Sequence, residues 1–425
     1  MPNFRTLDDI DVHGKRVLLR ADLNVPMKNG VVTDVTRIER LAPTIDTLLD
    51  RGAKVIVMSH FGRPEGKKDP AFSLRSLIAP LSRAIGGRDI VFAEDCIGDD
   101  AKRVISALRP GQVGLLENLR FHKEEEANSA EFARSLAELG DVYVDDAFSA
   151  AHRAHASIDA LARLLPNAAG KLMQAELTAL TAALDTPKRP VLALIGGAKV
   201  STKLDLLRFM IGKVDMLAVG GAMANTFLFA EGREIGRSLC EQNMAGSARQ
   251  IQDLAHQHHC RLVLPDDVVV AAALEPGVAT RTVAVEAVPS DTIILDIGPR
   301  TVTRITALLE EAHTLVWNGP LGAFETAPFD RGTVAVAQKV AELTRAGKLL
   351  SVAGGGDTVA ALDAAGVTEH LSYVSTAGGA FLEWLEGREL PGVAALAPVD
   401  RERPRSICAD AAGGVRADDE DNVGG

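Results

Sequence analysis

Short apolar runs alternate with stretches of helical periodicity along most of this chain, and that alternation constrains the fold more than any other feature. RVLLRADLNV (16–25), KVIVMSHFGRP (54–64), DIVFAED (89–95), QVGLLENLRF (112–121) and DVYVDDAF (141–148) read as strands with polar ends. Between them, TRIERLAPTIDTLLDRGA (36–53), SLRSLIAPLSRAIG (73–86, shifted by Pro80), GDDAKRVISALRPG (98–111) and SAEFARSLAELG (129–140) carry apolar residues at helical spacing. Strands separated by helices pair mostly in parallel, with helices on both faces of the sheet. After Pro190 the pattern restarts, in VLALIGGAKVSTKLDLLRFM (191–210), MLAVGGAMANTFL (216–228), RLVLPDDVVVA (261–271), DTIILDIGPRT (291–301), HTLVWNGPLGAFE (313–325), SVAGGGDTVAAL (351–362) and SYVSTAGGAFLEWLEG (372–387). The expectation is an α/β protein of two doubly wound, Rossmann-like parallel-sheet domains, with LMQAELTALTAALD (172–185) as a long connecting helix. A chain of 425 residues gives each half enough length for its own core. An aromatic content of 4%, with abundant Ala, Val, Leu and Gly, suits parallel strands covered by helices.

In such sheets ligands lie beyond the carboxyl ends of the strands. In the first half those ends carry Arg20, Asp22 and Asn24; His60 and Arg63; Arg120 and His122; and His152, Arg153 and His155. Arg37 stands at the start of the first helix, where a cation opposes the helix dipole. Singly, each reads as a solvated loop charge. Arginine at four separate strand ends points instead to a small ligand with phosphate or carboxylate groups, gripped by forked guanidiniums. The second half ends its strands in glycines, with Lys199 and Lys203 after the first Gly-Gly and Asn318, Gly319, Pro320 and Glu325 after another strand. SVAGGGDTVAAL joins a strand, three glycines and a helix start. Two readings stand for it: a glycine turn capped by Asp357 and Thr358, or a phosphate site in which Asp357 caps the helix or holds a phosphate-bridging metal.

Other functions are disfavoured. A net charge of -11 argues against a nucleic-acid partner, which needs a basic face. The four cysteines are dispersed, as in a reduced cytoplasmic protein. No uninterrupted apolar run is long enough to span a bilayer, and the first residues lack an apolar signal region. HQHHC (256–260) reads as a solvated helix end, because no second ligand group stands at zinc spacing. There is no GxxxxGK[ST], no dinucleotide-type GxGxxG and no GxSxG.

The motifs RADLNVP, SHFGRP, LLENLRFHKEEE, AHRAHAS, GGAKVSTK, DIGPRT, WNGPLGAFE, GGGDT and STAGGAFLEWLEG together resemble the phosphoglycerate kinase family, over about residues 4–398. The resemblance implies two domains with a cleft between them: residues 1–167, on which about 386–398 packs back, and residues 168–385 for the nucleotide. It implies reversible phosphoryl transfer from 1,3-bisphosphoglycerate to Mg-ADP, by domain closure, in a cytoplasmic monomer. It implies that Asp22, Leu23 and Asn24, with Arg37, His60, Phe61, Gly62, Arg63, Arg120 and Arg153, bind the glycerate substrate. Lys203, Glu325, Gly355, Gly356, Asp357 and Thr358 are implied for the nucleotide, with Asp357 also on magnesium and Arg37 and Lys199 catalytic. Asp145, Ser149, Ala150, Phe229, Asp266 and Ala377 depart from the family pattern and bear on rate and closure. They motivate an alternative, a divergent copy that binds ligands or regulates; a kinase with a hydroxyl acceptor is disfavoured because no general base stands out. Residues 399–425, charged and glycine-rich, read as a disordered tail. Deleting 401–425 is expected to leave activity and Tm nearly unchanged in a thermal melt and a kinetic assay; a large loss of Tm would show the tail to be docked.

Overall fold

Fully buried strands are what both halves are built on. The structure, a computed structural model, describes residues 4–110 and 112–397; the tail call, 399–425, lies outside the described residues. In the first half come β1 (Arg16–Arg20), a short hairpin of β2 (Met27–Lys28) and β3 (Val31–Val32), then β4 (Lys54–Met58), β5 (Ile90–Phe92), β6 (Val113–Leu115), β7 (Val142–Asp145) and β8 (Asn167–Ala169). Six of these form a parallel sheet in the order β5-β6-β4-β1-β7-β8. Alternate residues serve opposite faces. Val17, Leu19, Val55 and Val57 meet Ile38, Leu41, Ile45 and Leu48 of the helix Thr36–Asp50. Leu18, Ile56 and Tyr143 meet Phe132, Leu136 and Leu161 on the other side.

The second half contains β9 (Val191–Ile195), β10 (Met216–Val219), β11 (Arg261–Val263), β12 (Asp267–Ala271), β13 (Thr280–Ala284), β14 (Ile293–Ile297), β15 (Thr314–Asn318), β16 (Leu350–Gly354) and β17 (Tyr373–Ser375). Six strands pair in parallel as β11-β10-β9-β15-β16-β17. The order reverses between β9 and β15, and between β1 and β7 in the first sheet. These are the switch points where crossovers diverge and leave a crevice.

The helix Lys171–Leu180, extended by a turn to Asp185, joins the halves. Met173, Leu177 and Leu180 are fully buried in a core that runs into both sheets. Its N-terminus is held by the buried carboxylate of Asp146, which accepts from Leu172 N (2.8 Å) and Met173 N (3.0 Å). Near the end of the described chain, the helix Pro391–Leu396 returns to the first half. Gly392 N donates to Ala151 O (2.9 Å), and Asn167 Nδ2 donates to Ala395 O (3.0 Å). No helix among the described residues is long and apolar enough to cross a membrane.

Two expectations change. RLVLPDDVVVA is not one strand. It breaks at Pro265–Asp266, and β12 leaves the parallel sheet to form a separate antiparallel sheet, β13-β12-β14, so DTIILDIGPRT also lies outside the doubly wound sheet. A proline cannot donate to the ladder. Asp267 turns its carboxylate onto the next helix, Pro299–Glu311, accepting from Thr301 N at 2.8 Å. QVGLLENLRF likewise ends as a strand at Leu115, because the Asn118 side chain closes a turn by accepting from Arg120 N at 3.0 Å.

Asp145, at the end of β7, is fully buried, and one carboxylate oxygen has no partner. Burial pushes its pKa up to about 6. An unfolded carboxyl ionises near 3.8, so the folded state binds more protons between these values and stability falls as pH rises through that window. Asp145→Asn is therefore expected to stabilise the protein by about 1–3 kcal/mol above pH 7 and by much less at pH 4. Urea denaturation at the two pH values checks this.

Candidate active site

The carboxyl ends of the first sheet gather the cations. In register, Arg20 of β1 lies beside Met58 of β4 and Asp145 of β7, so the residues that follow emerge together. Arg37, on the first turn of the helix Thr36–Asp50, donates through Nη1 to Asp22 Oδ2 (2.9 Å) and to Asn24 O (2.9 Å). The Ser149 hydroxyl donates to the same Asp22 oxygen. Asn24 Oδ1 accepts from Gly62 N at 2.9 Å, and Gly62 O accepts from Arg120 Nη1 at 2.8 Å. Leu23 is buried, and its N–H donates to Ser59 Oγ (2.9 Å). Asn118, fully buried, binds Phe61 N, Phe61 O and Phe72 O, which sets the loop that carries His60 to Arg63. One hydrogen-bonded set thus ties Asp22, Asn24, Arg37, Gly62 and Arg120 together.

The remaining members differ in exposure. Arg120 is buried; its Nε lies 3.2 Å from Glu126 Oε1 but off the hydrogen-bond direction. Desolvation lowers its pKa, with Arg153 and Arg20 adding to the effect. His60 is held well below the ordinary histidine range by burial and by Arg20, Arg120, His155 and Arg153. Burial and the same arginines bring His155 down to about 4. Arg153 reaches His152 Nε2 at 3.2 Å, and Arg63 is exposed. The charge is therefore concentrated on guanidiniums, which stay protonated, and not on the histidines.

On the second sheet the strand ends nearly touch. A Cβ on Gly196 would lie 1.9 Å from Pro320 O, so only glycine lets β9 and β15 approach this closely. Lys203 sits over this crossing. It donates to Gly196 O (2.6 Å), Asn318 Oδ1 (2.6 Å) and Asn318 O (3.2 Å), and burial brings its pKa down to about 8. The helix Leu204–Ile211 starts after it, later than the sequence pattern indicates, so Lys199 lies in the preceding loop and is exposed. Gly355 has φ 100°, a left-handed value that turns β16 into the helix Gly356–Ala364. Thr358 is buried; its Oγ1 donates to Gly354 O (2.9 Å) and accepts from Gly319 N (2.7 Å). Asp357 is exposed on the first turn of that helix, next to exposed Gly356, and Glu325 is exposed beyond β15. The Asp357 carboxylate offers hard oxygen donors, suited to a magnesium ion that takes one or two carboxylates together with phosphate oxygens. HQHHC proves a solvated helix end, with His256, His258 and His259 exposed.

A cavity of about 30 Å³ is shared by the two halves, lined by Asp22, Arg37 and Arg40 on one side and by Thr376 and Ala377 on the other. Arg40 Nη1 reaches Thr376 Oγ1 (3.3 Å), and the Tyr373 hydroxyl donates to buried Glu176 of the connecting helix. The left-handed turn here falls on Gly378 (φ 51°) and not on Ala377, which therefore carries no backbone strain. Asp266 pairs with Arg304 at 2.8 Å. The polar organisers Ser59 and Asn118 were not singled out from sequence; their position shortly after β4 and β6 was the available signal.

Two strand-end surfaces, one lined with arginine and one with glycine, joined by a buried helix, define a two-lobed α/β protein. The phosphoglycerate kinase family profile matches residues 7–388. A phosphoglycerate kinase of Methylorubrum extorquens (strain PA1) is 60% identical over 397 residues, covering 93% of this chain and 99% of that one. One of Rhodospirillum centenum is 59% identical over 393 residues, covering 92% of this chain and 99% of its own. The solved phosphoglycerate kinase of Coxiella burnetii superposes with a TM-score of 0.86 at 44% identity, over 92% of this chain and 98% of its own. The chain belongs to the phosphoglycerate kinase family.

Gly196→Ala is expected to destabilise the protein by about 1–3 kcal/mol, because two backbone segments must part. A denaturant midpoint unchanged from wild type would contradict the close approach.

Proposed function

We propose that the chain transfers a phosphoryl group reversibly between the acyl phosphate of 1,3-bisphosphoglycerate and ADP, giving 3-phosphoglycerate and ATP. Family membership supports the reaction. The observation that carries the assignment of residues is the Arg37 guanidinium, anchored on Asp22 and Asn24 at a strand end and opening onto the cavity shared with Thr376 and Ala377. In this reading residues 1–167, with about 386–398 returning to them, hold the glycerate substrate, and residues 168–385 hold the nucleotide. Asp22 and Asn24 bind the glycerate hydroxyl and backbone. His60, Arg63, Arg120 and Arg153, with the Phe61 and Gly62 segment, hold its phosphate. Gly355, Gly356 and Thr358 present backbone N–H groups and a helix start to the nucleotide phosphates, and Glu325 takes the ribose.

Asp357 is the residue that would hold magnesium, which supplies charge neutralisation between the nucleotide phosphates. The acceptor carboxylate is already ionised near neutral pH, so no residue has to remove a proton. What the protein supplies is position and charge. Arg37 and Lys199 neutralise the group in flight, and Lys203 holds the β9 and β15 ends at the geometry the nucleotide needs. Closure of the lobes brings the substrates together and excludes water. The protein acts as a cytoplasmic monomer. The departures at Ser149 and Ala377 are accommodated without loss of the anchored arginine, which disfavours a copy that binds ligands but has no activity.

The test is a coupled assay of ATP consumption with 3-phosphoglycerate, wild type against Arg37→Ala. Wild type is expected to turn over, and the variant to lose on the order of 10²–10³ in kcat with its fold intact. Nucleotide binding without turnover in wild type would sink the proposal, and an unchanged kcat would remove Arg37 from the mechanism.

A further inference from the structure

Arg20, at the end of β1, has no solvent exposure. Its Nε donates to Ser157 Oγ (2.8 Å), its Nη1 to Ala21 O (2.5 Å), and its Nη2 faces His60 Nδ1 at 3.1 Å. Ser157 passes the contact on. Its hydroxyl donates to Glu125 Oε1 (2.6 Å) and its N–H to Glu125 Oε2 (2.9 Å). Glu125 is itself fully buried, and Ser157 O is held by the Tyr143 hydroxyl at 2.8 Å. His155 Nδ1 lies 4.0 Å from the same carboxylate.

Donor counting determines the state of His60. A guanidinium carries donors only, so Nδ1 facing Nη2 must be an acceptor. The neutral ring then carries its one proton on Nε2. That atom has no protein partner among the described residues, and it is not one of the nitrogen atoms sealed from solvent. A charged imidazolium is ruled out by the same contact, since two donors would oppose each other at 3.1 Å. The surrounding cations Arg120 and Arg153 also favour the neutral ring. Arg20 can occupy this place only because carboxylates share its burial, since an uncompensated buried charge is strongly unfavourable. Glu125 is the one linked to it through a hydrogen-bonded hydroxyl.

We propose that Glu125 and Ser157 are positioning residues that act through Arg20 to hold His60 as the neutral Nε2–H tautomer, so that His60 meets the anionic substrate as a directed hydrogen-bond donor and not as a charge. This rests on the reading of His60 as a substrate-binding residue. It accounts for a fully buried glutamate and serine that the phosphoryl transfer does not otherwise use.

The test is an NMR spectrum of the imidazole nitrogens in the isotope-labelled, substrate-free protein, with His60 assigned from His60→Ala. Nδ1 is expected at the unprotonated position and Nε2 at the protonated one around neutral pH. A protonated Nδ1 overturns the inference, whatever the variants do. In Ser157→Ala and Glu125→Gln the ring is expected to shift toward a tautomer mixture. KM for 3-phosphoglycerate should rise on the order of tenfold, about one hydrogen bond, with KM for ATP nearly unchanged, and Ser157→Thr should restore both. Folded variants with an unchanged tautomer and KM overturn the role of Glu125 and Ser157. An unchanged KM in His60→Ala would instead overturn the substrate reading, and the tautomer would still be judged by the spectrum.

Discussion

Parallel strand pairing is the constraint on which everything else in this protein depends. A chain that re-enters its sheet in the same direction each time must place all strand carboxyl ends on one edge. Each sheet therefore has one functional edge, and the chain has two. At the switch point of the second sheet, Gly196 lets the ends of β9 and β15 come so close that their carbonyls converge on Lys203. At that of the first, the residues after β1 and β7 meet, and Asp22 receives both Arg37 and Ser149.

The two edges manage charge in opposite ways. In the first lobe carboxylates hold guanidiniums: Asp22 for Arg37, Glu126 beside Arg120, and Glu125 through Ser157 for Arg20. These pairs cost desolvation, but they keep forked donors at set positions, which is what an anionic ligand needs. In the second lobe carbonyl and amide oxygens hold the Lys203 ammonium, and glycines let the backbone segments at the strand ends approach one another closely. In the proposed reading the first arrangement takes discrete phosphate and carboxylate groups, and the second a phosphate chain lying close to the backbone.

Much of this was legible in the sequence, and the reasons are local. The alternation of VLLR-type runs with helical repeats placed β1, β4, β7, β9, β10, β15 and β16, because both-face burial makes such strands continuously apolar. The arginines and glycines were legible because they stand just past those runs. What was not legible depends on long-range partners. Period-two patterning in DVVVA and TIILDI cannot reveal that β12 and β14 pair with β13 in an antiparallel sheet. Lys199 and Lys203 look alike in GGAKVSTK, yet one is exposed and the other spends its donors on Gly196 and Asn318. Arg20 follows from the strand-end rule and Arg37 from its place at a helix start, but only the fold separates the buried one from the one at the cavity. Ser149, read from sequence as a departure from the family pattern, is bonded to Asp22, a contact only the fold reveals.

The account rests on transfer to a carboxylate by position and charge alone, with no proton removed from the acceptor. Phosphorus NMR of the protein with ATP, magnesium and 3-phosphoglycerate, under conditions that draw off ADP, tests this most directly. The predicted result is an acyl-phosphate resonance that hydroxylamine abolishes. A phosphate ester on the glycerate hydroxyl, or hydrolysis of ATP with the acid unchanged, would contradict it.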